Sequence, residues 1–348
     1  MNKLKRKAIL FVISLFFLSS IILTTTNIQG RFGSSAVYGY VRNGKGNGIS
    51  SVLVEAYIFG MREGSDTTNT NGYYYIDLGP IFSKTYVTLK FTPVHNYKAK
   101  QVSVTVYPDQ TKRKDVTLTQ FLALLIAGSA EARYSNDAIA MQETLIDNYD
   151  FDSQGNNIYL LTTFNRPERD RETTVANFNW AAGQINSKSS TYDHVYIYLV
   201  SHGTDEPGPE VKMGYTEMMT ASDFDDVLDT ITCKYMYIYF CTCYSGLFID
   251  YLNDEQNRAI YTSCGDELSR DTIDYTYWGR AVVASLTPGS GEFEKAEEAD
   301  TNDDYKVSLY EIYLWAYDYV DHLQTPQPWI GSIIGSDTND FIGDEKYN

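Results

Sequence analysis

Apolar positions follow two different rhythms along the chain. From Val37 onward, short runs alternate apolar and polar residues: Val37-x-Gly39-x-Val41, Val52-x-Val54-x-Ala56, Tyr73-x-Tyr75, Val87-x-Leu89-x-Phe91, Val102-x-Val104-x-Val106 and Val116-x-Leu118. Asn43-Gly44, Asn47-Gly48, Asn71-Gly72 and Pro108-Asp109 punctuate them. Period two between such turn signals predicts half-buried strands folded into a small antiparallel β-sandwich over residues 36–118.

After residue 120 the rhythm changes. Phe121–Ala127, Asn157–Thr162, His194–Val200, Tyr235–Cys241 and Ala259–Ser263 read as runs of apolar and aromatic residues, the mark of strands covered on both faces. Between them come helical stripes. Ala138, Met141, Leu145 and Ile146 form one; Val175, Phe178, Ala182 and Ile185, behind a Thr173 cap, form the next. A third runs Ser222-x-Phe224-x-x-Val227-Leu228-x-x-Ile231. Alternating strand and helix forces parallel pairing through right-handed crossovers. Residues 120–340 are therefore predicted to be α/β, a three-layer α/β/α sandwich with a mainly parallel sheet.

Two of these runs end in reactive groups. His194–Val200 leads into Ser201-His202-Gly203, and Tyr235–Cys241 leads into Thr242-Cys243-Tyr244-Ser245-Gly246. In an open parallel sheet the strand carboxyl ends form the ligand crevice, and a thiol becomes a useful nucleophile when an imidazole supplies a base or ion-pair partner. His-Gly after one strand and Cys-x-Ser-Gly after another resemble the legumain branch of the caspase-like cysteine peptidases, over roughly residues 120–335. That resemblance implies His202 as general base, Cys243 as nucleophile, the amides of Gly203 and Cys243 as oxyanion hole, and protein or peptide substrates. Legumains also carry Tyr-Arg-His after the first strand and a Glu two residues before the nucleophile. Here Tyr134 is followed by Ser135-Asn136, and Cys241 stands at the Glu position, so asparaginyl cleavage is not implied. Arg133, Asp266 and Glu267 are candidate pocket residues by their places after strand ends. The amino-terminal sandwich, with Gly39-x-Val41, Ile49-Ser50-x-Val52-x-Val54-x-Ala56 and Thr70-Asn71-Gly72-Tyr73-Tyr74-x-Ile76, resembles carboxypeptidase regulatory-like domains; it holds no polar cluster that asks for chemistry and reads as a spacer, folding aid or weak binding module.

Composition narrows the setting. Lys3, Lys5, Arg6 and Lys7 precede Ala8–Leu23, an apolar stretch broken only by Ser14, Ser19 and Ser20. Residues 1–30 have the form of a secretory signal, with an uncleaved membrane anchor as the alternative. They hold four basic and no acidic side chains, so the rest of the chain is more acidic than the overall −17, which argues against nucleic acid as a partner. The cysteines, at 233, 241, 243 and 264, are too few and too clustered for a disulfide framework. An extracytoplasmic, secreted or surface-held protein is expected.

Residues 300–311 place Asp300, Asn302, Asp304, Lys306, Ser308 and Glu311 at EF-hand positions 1, 3, 5, 7, 9 and 12. A structural Ca2+ is expected there and no organic cofactor. Tyr305 stands where such loops want glycine, at a cost of roughly 1 kcal/mol or more for a left-handed backbone. The functions left in competition are endopeptidase, peptide ligase of the same family, and an inactive calcium-dependent surface-binding protein.

Overall fold

The computed structural model describes residues 33–94, 96–149, 151–152, 157–287, 299–301, 307–332 and 334. The alternating region forms β1 (Ser35–Arg42), β2 (Leu53–Ile58), β3 (Met61–Thr67), β4 (Tyr73–Gly79), β5 (Thr85–Thr92), β6 (Lys100–Val106), β7 (Thr111–Arg113) and β8 (Val116–Thr117). One sheet runs β4-β1-β7 with β8 also on β1, the other β3-β2-β5-β6. Val37, Val54, Tyr74, Leu89 and Phe91 fill the space between them. Two features depart from expectation. β7 and β8 pair parallel to β1, so the sandwich is mixed and not purely antiparallel. β3, Met-Arg-Glu-Gly-Ser-Asp-Thr, has no alternating apolar face, because it is an edge strand that buries none of its residues.

The continuous runs form β9 (Phe121–Ala127), β10 (Ile158–Thr162), β11 (His194–Val200), β15 (Tyr235–Cys241) and β16 (Arg258–Thr262) of a six-stranded sheet. Its order is β10-β9-β11-β15-β16-β17; the first five are parallel, and β17 (Gln327–Ile330) is antiparallel at the edge. Helices cover both faces. On one, α1 (Ala132–Asn148), α5 (Tyr277–Leu286) and α6 (Leu309–Val320) pack on Tyr196, Tyr198, Tyr237, Tyr239 and Tyr261. On the other, α2 (Val175–Lys188), α3 (Ala221–Asp229) and the single turn α4 (Ile249–Leu252) pack on Leu122, Val195, Ile197, Ile238 and Phe240. Each such side chain contributes about 1.5–3 kcal/mol on burial. The tyrosine face gains further from stacked pairs, Tyr196 with Tyr237 at 5.2 Å and Tyr239 with Tyr261 at 5.0 Å, and Tyr239 donates its hydroxyl to Leu309 O at 3.2 Å.

Caps fall one or two residues from their expected places. Thr174, not Thr173, caps α2, since Thr173 is buried and donates to Ala127 O at 2.8 Å. Thr220, not Ser222, caps α3, at the end of a hairpin the pattern did not show: β12 (Gly203–Thr204), β13 (Glu210–Met213) and β14 (Glu217–Thr220). That hairpin matters to the site, because Lys212 N donates to His202 O at 3.0 Å and Ser201 Oγ to Lys212 O at 2.7 Å.

Candidate active site

Strand order reverses at β9, which has β10 on one side and β11 on the other. Connections leaving the carboxyl ends there diverge and open a crevice. The loop into α1 enters it from β9, His202 from β11, and Cys243 from the neighbouring β15.

Register sets the ends of the two strands side by side. β11 and β15 pair with Val200 opposite Cys241, and Ser201 N donates to Cys241 O at 3.0 Å, so the segments that carry His202 and Cys243 leave from adjacent strand ends. Parity is shared up to the two strand ends. Tyr196, Tyr198 and Val200 point to the α1/α5/α6 face, as do Tyr237, Tyr239 and Cys241, and side chains two apart on a strand share a face. The backbones also close in: a Cβ on Gly203 would stand 2.3 Å from Cys243 O, so only glycine fits.

The turn after Cys243 is built differently from a glycine turn. Tyr244, at φ 58°, takes the left-handed conformation, a cost of about 1 kcal/mol or more, and its N–H donates to Glu267 O at 2.7 Å. Gly246 serves close approach instead: an added Cβ would meet Gly265 Cα at 2.7 Å and Cys264 O at 2.9 Å. All four cysteines are free thiols. Cys241 is a core residue; burial holds its thiol well above the usual range, and its Sγ donates to Thr276 Oγ1 at 3.2 Å. Cys243 is half-buried, its Sγ 3.9 Å from Ser269 O, and burial also pushes its thiol upward.

Three residues that sequence reasoning had not assigned surround the imidazole. Glu131, the residue before α1, contacts His202 Nε2 through Oε1. The Tyr134 hydroxyl stands 3.1 Å from His202 Nδ1 and 3.2 Å from Asp271 Oδ2, with the two rings edge-to-face at 5.2 Å. Arg133 ties the acids together, Nη2 lying 2.6 Å from Glu131 Oε2 and Nε 3.5 Å from Asp271 Oδ2. Partial burial opposes ionisation of Glu131, but contact with His202 and the charge of Arg133 hold its carboxyl below the usual range. Asp271 is deeper, and burial lifts its carboxyl despite Arg133 and Tyr134. Beneath them Asp137 accepts from Thr276 N and Oγ1 at 3.0 and 2.6 Å, and burial pushes its carboxyl up to about 8.

Of the candidate pocket residues only Arg133 joins this network. Asp266 is exposed, and the Glu267 side chain is spent on Thr325 N at 2.5 Å; the acid that this loop sends into the site is Asp271. The available signal was position, since Glu131, Arg133 and Tyr134 all follow the strand at which the order reverses.

In the predicted calcium loop, Asn302, Asp304 and Lys306 lie outside the described residues. Ser308 and Glu311 form a capping box on α6. Glu311 Oε1 accepts from Thr301 N and Oγ1 at 3.1 and 2.8 Å, and Oε2 from Ser308 N at 2.8 Å. The position-12 carboxylate thus lies over Thr301 near the loop start, with both its oxygens accepting from N–H and O–H donors. Elsewhere among the described residues Asp225, Asp229 and Asp254 converge, but on the buried Arg258 guanidinium.

Residues 175–289, which include His202 and Cys243, match the model of the Peptidase C13 family. No curated protein matches the chain. Among solved structures, the Bacillus anthracis TIE protein is similar at 10% identity and a TM-score of 0.24 over 28% of this chain and 19% of its own. Catechol 1,2-dioxygenase from Acinetobacter sp. ADP1 is similar at 8% identity and 0.23 over 28% and 55%. For Klebsiella pneumoniae 5-hydroxyisourate hydrolase the values are 12% and 0.20 over 24% and 90%. Likenesses this slight carry nothing about activity.

Proposed function

We propose that the chain is a cysteine endopeptidase on a caspase-like α/β/α sandwich, exported and secreted or held at the cell surface. The observation that supports this reading is the register of β11 and β15, which pairs Val200 with Cys241 and so brings the segments carrying His202 and Cys243 to adjacent strand ends, within the stretch similar to the Peptidase C13 family. Protein or peptide substrates follow from that similarity.

His202 takes the thiol proton and Cys243 Sγ attacks the scissile carbonyl, while the Gly203 and Cys243 amides receive the oxyanion. Collapse expels the amine, which takes the proton from the imidazolium and leaves a thioester. Water, deprotonated by His202, then releases the acid and the thiol. Glu131 lies on Nε2 and the Tyr134 hydroxyl on Nδ1, so the thiol proton goes to Nδ1 with the hydroxyl displaced from it. Glu131 holds the imidazole directly and Asp271 through the Tyr134 hydroxyl, which fixes the orientation of the ring. We place a structural Ca2+ at residues 300–311, with Asp300 and Glu311 closing the loop.

The deciding experiment is labelling by a thiol-reactive peptide probe, together with a peptide-library digest by the purified protein. Labelling of Cys243 that is lost in His202→Ala, with discrete cleavage sites, supports the reading. A Cys243 that reacts no faster than a small-molecule thiol, and an uncut library, would replace it with a surface-binding protein.

A further inference from the structure

The end of the β-sandwich farthest from the catalytic edge carries a crown of exposed aromatic residues. Phe59 is 92% exposed, Phe82 71%, Tyr86 65%, Met61 64% and Tyr107 50%. Register collects them. β2 runs antiparallel to β5 with Tyr57 opposite Thr88, so the β2–β3 turn at Phe59 comes beside Tyr86. Thr85 pairs with Val106, bringing Tyr107 to the same end, and Ser35 pairs with Gly79, bringing the loop of Phe82.

Two further observations say what this end meets. The first is the β2–β3 turn itself. Phe59 and Gly60 both have positive φ, 51° and 81°, in a two-residue turn that favours Asn-Gly or Asp-Gly. An aromatic residue is strained there and gains no packing in exchange, as expected where a side chain must be held outward for contact. The second is where the preceding chain arrives. Ser35 Oγ donates to Tyr107 O at 3.3 Å, and Gly33 lies against Asp109, so the first described residues sit at the crown, with residues 1–32 before them in sequence. They include the apolar stretch Ala8–Leu23 behind Lys3, Lys5, Arg6 and Lys7. The ten-residue connection from Leu23 to Gly33 spans at most about 35 Å.

We propose that this crown rests in the interfacial layer of a lipid bilayer, with Phe59, Met61, Phe82 and Tyr86 entering roughly 5–10 Å. Aromatic rings with a wet edge suit that layer, and the Lys84 ammonium, 5.2 Å from the Tyr86 ring centre, supplies a charged tip to stay among the headgroups. The sandwich's other end meets the amino ends of the parallel strands: Lys45 Nζ donates to Asn186 O at 3.1 Å, Gln120 N to Asp193 Oδ1 at 2.7 Å and His194 N to Gln120 O at 2.9 Å. The catalytic edge therefore projects away from the membrane by two strand lengths, each roughly 25 Å. The inference rests on the surface-held localisation proposed above and not on the peptidase chemistry.

The test uses the full chain reconstituted in phosphatidylcholine–phosphatidylglycerol vesicles, with lipids brominated near the headgroup end of the acyl chain. The four native tryptophans, Trp180, Trp278, Trp315 and Trp329, lie in the distal part, so wild type is the reference. Phe59→Trp and Phe82→Trp are expected to add a blue-shifted emission that brominated lipid quenches, while wild-type emission is unchanged. A chain that floats with vesicles but shows unquenched added tryptophans overturns the crown and leaves the tether. A chain that does not float overturns both. A blue shift that grows with protein concentration without lipid assigns the crown to a second copy and overturns the lipid proposal.

Discussion

The Glu131 carboxylate, delivered by the loop after β9, lies against Nε2 of His202, delivered by the end of β11. An acid on the far nitrogen orients an imidazole and stabilises its charged form. Glu131→Gln keeps the shape and loses the charge. Because this pair is about 40% exposed, the expected loss in kcat/KM is modest, roughly tenfold. The loss should fall on kcat with KM little changed, measured on a peptide substrate. An unchanged kcat would assign Glu131 a purely structural place.

The Tyr134 hydroxyl sits on Nδ1, the nitrogen that the proposed mechanism gives to the thiol proton. Tyr134→Phe retains the edge-to-face ring contact and removes the hydroxyl's contacts with both His202 Nδ1 and Asp271 Oδ2; the one at Nδ1 is worth net about 0.5–1.5 kcal/mol or ~2–10-fold in an equilibrium. Alkylation of Cys243 is expected to quicken by that factor. Slowing instead would make the hydroxyl part of the proton path.

Cys243 and Cys241 should separate cleanly. Cys243→Ala is expected to abolish cleavage with the circular dichroism spectrum intact. Cys241→Ala should keep most activity and lose about 1–2 kcal/mol of stability, from the lost sulfur packing and the bond to Thr276. Inactive Cys241→Ala beside active Cys243→Ala would overturn the assignment. Since burial raises the Cys243 thiol, its alkylation in the free protein should still be climbing with pH beyond the ordinary thiol range.

Asp137 makes stability fall with pH. Its folded carboxyl titrates near 8 against an ordinary 3.8, so between those values the folded state holds a proton the unfolded state has lost. Stability then declines as pH rises, by at most about 1.4 kcal/mol per unit in that window. Asp137→Asn removes the group, so its melting temperature relative to wild type should rise from pH 5 to 8 and then level off. A constant difference would refute the buried proton.

Calcium and capping can be told apart at residues 300–311. Glu311→Ala should destabilise without any metal, by about 1–2 kcal/mol, because it breaks the capping box. Asp300 takes no part in that box, so Asp300→Ala is the cleaner probe: millimolar Ca2+ should raise the melting temperature of wild type and not of this variant. Equal responses would remove the metal.

What the chain determines by itself is whatever depends on neighbours in sequence. The strand ends that carry His202 and Cys243 were legible because each closes an apolar run, and run length and period are local consequences of how a strand is buried. The choice of Cys243 over Cys241 followed from the same logic, since the earlier cysteine continues the run into the core. Glu131, Tyr134 and Asp271 were not legible as partners of His202. Tyr134 and Asp271 are 137 residues apart, and they meet because strand order reverses at β9 and α1 crosses the face to which His202 points. No periodicity encodes that order, which is decided by how the whole sheet buries its two faces. β3 at the sandwich edge and the β12–β14 hairpin escaped for a related reason, as edge pairing needs backbone partners and no apolar pattern. The same holds at the β2–β3 turn, where the neighbouring strands, not the residue's own preference, hold Phe59 in a left-handed backbone.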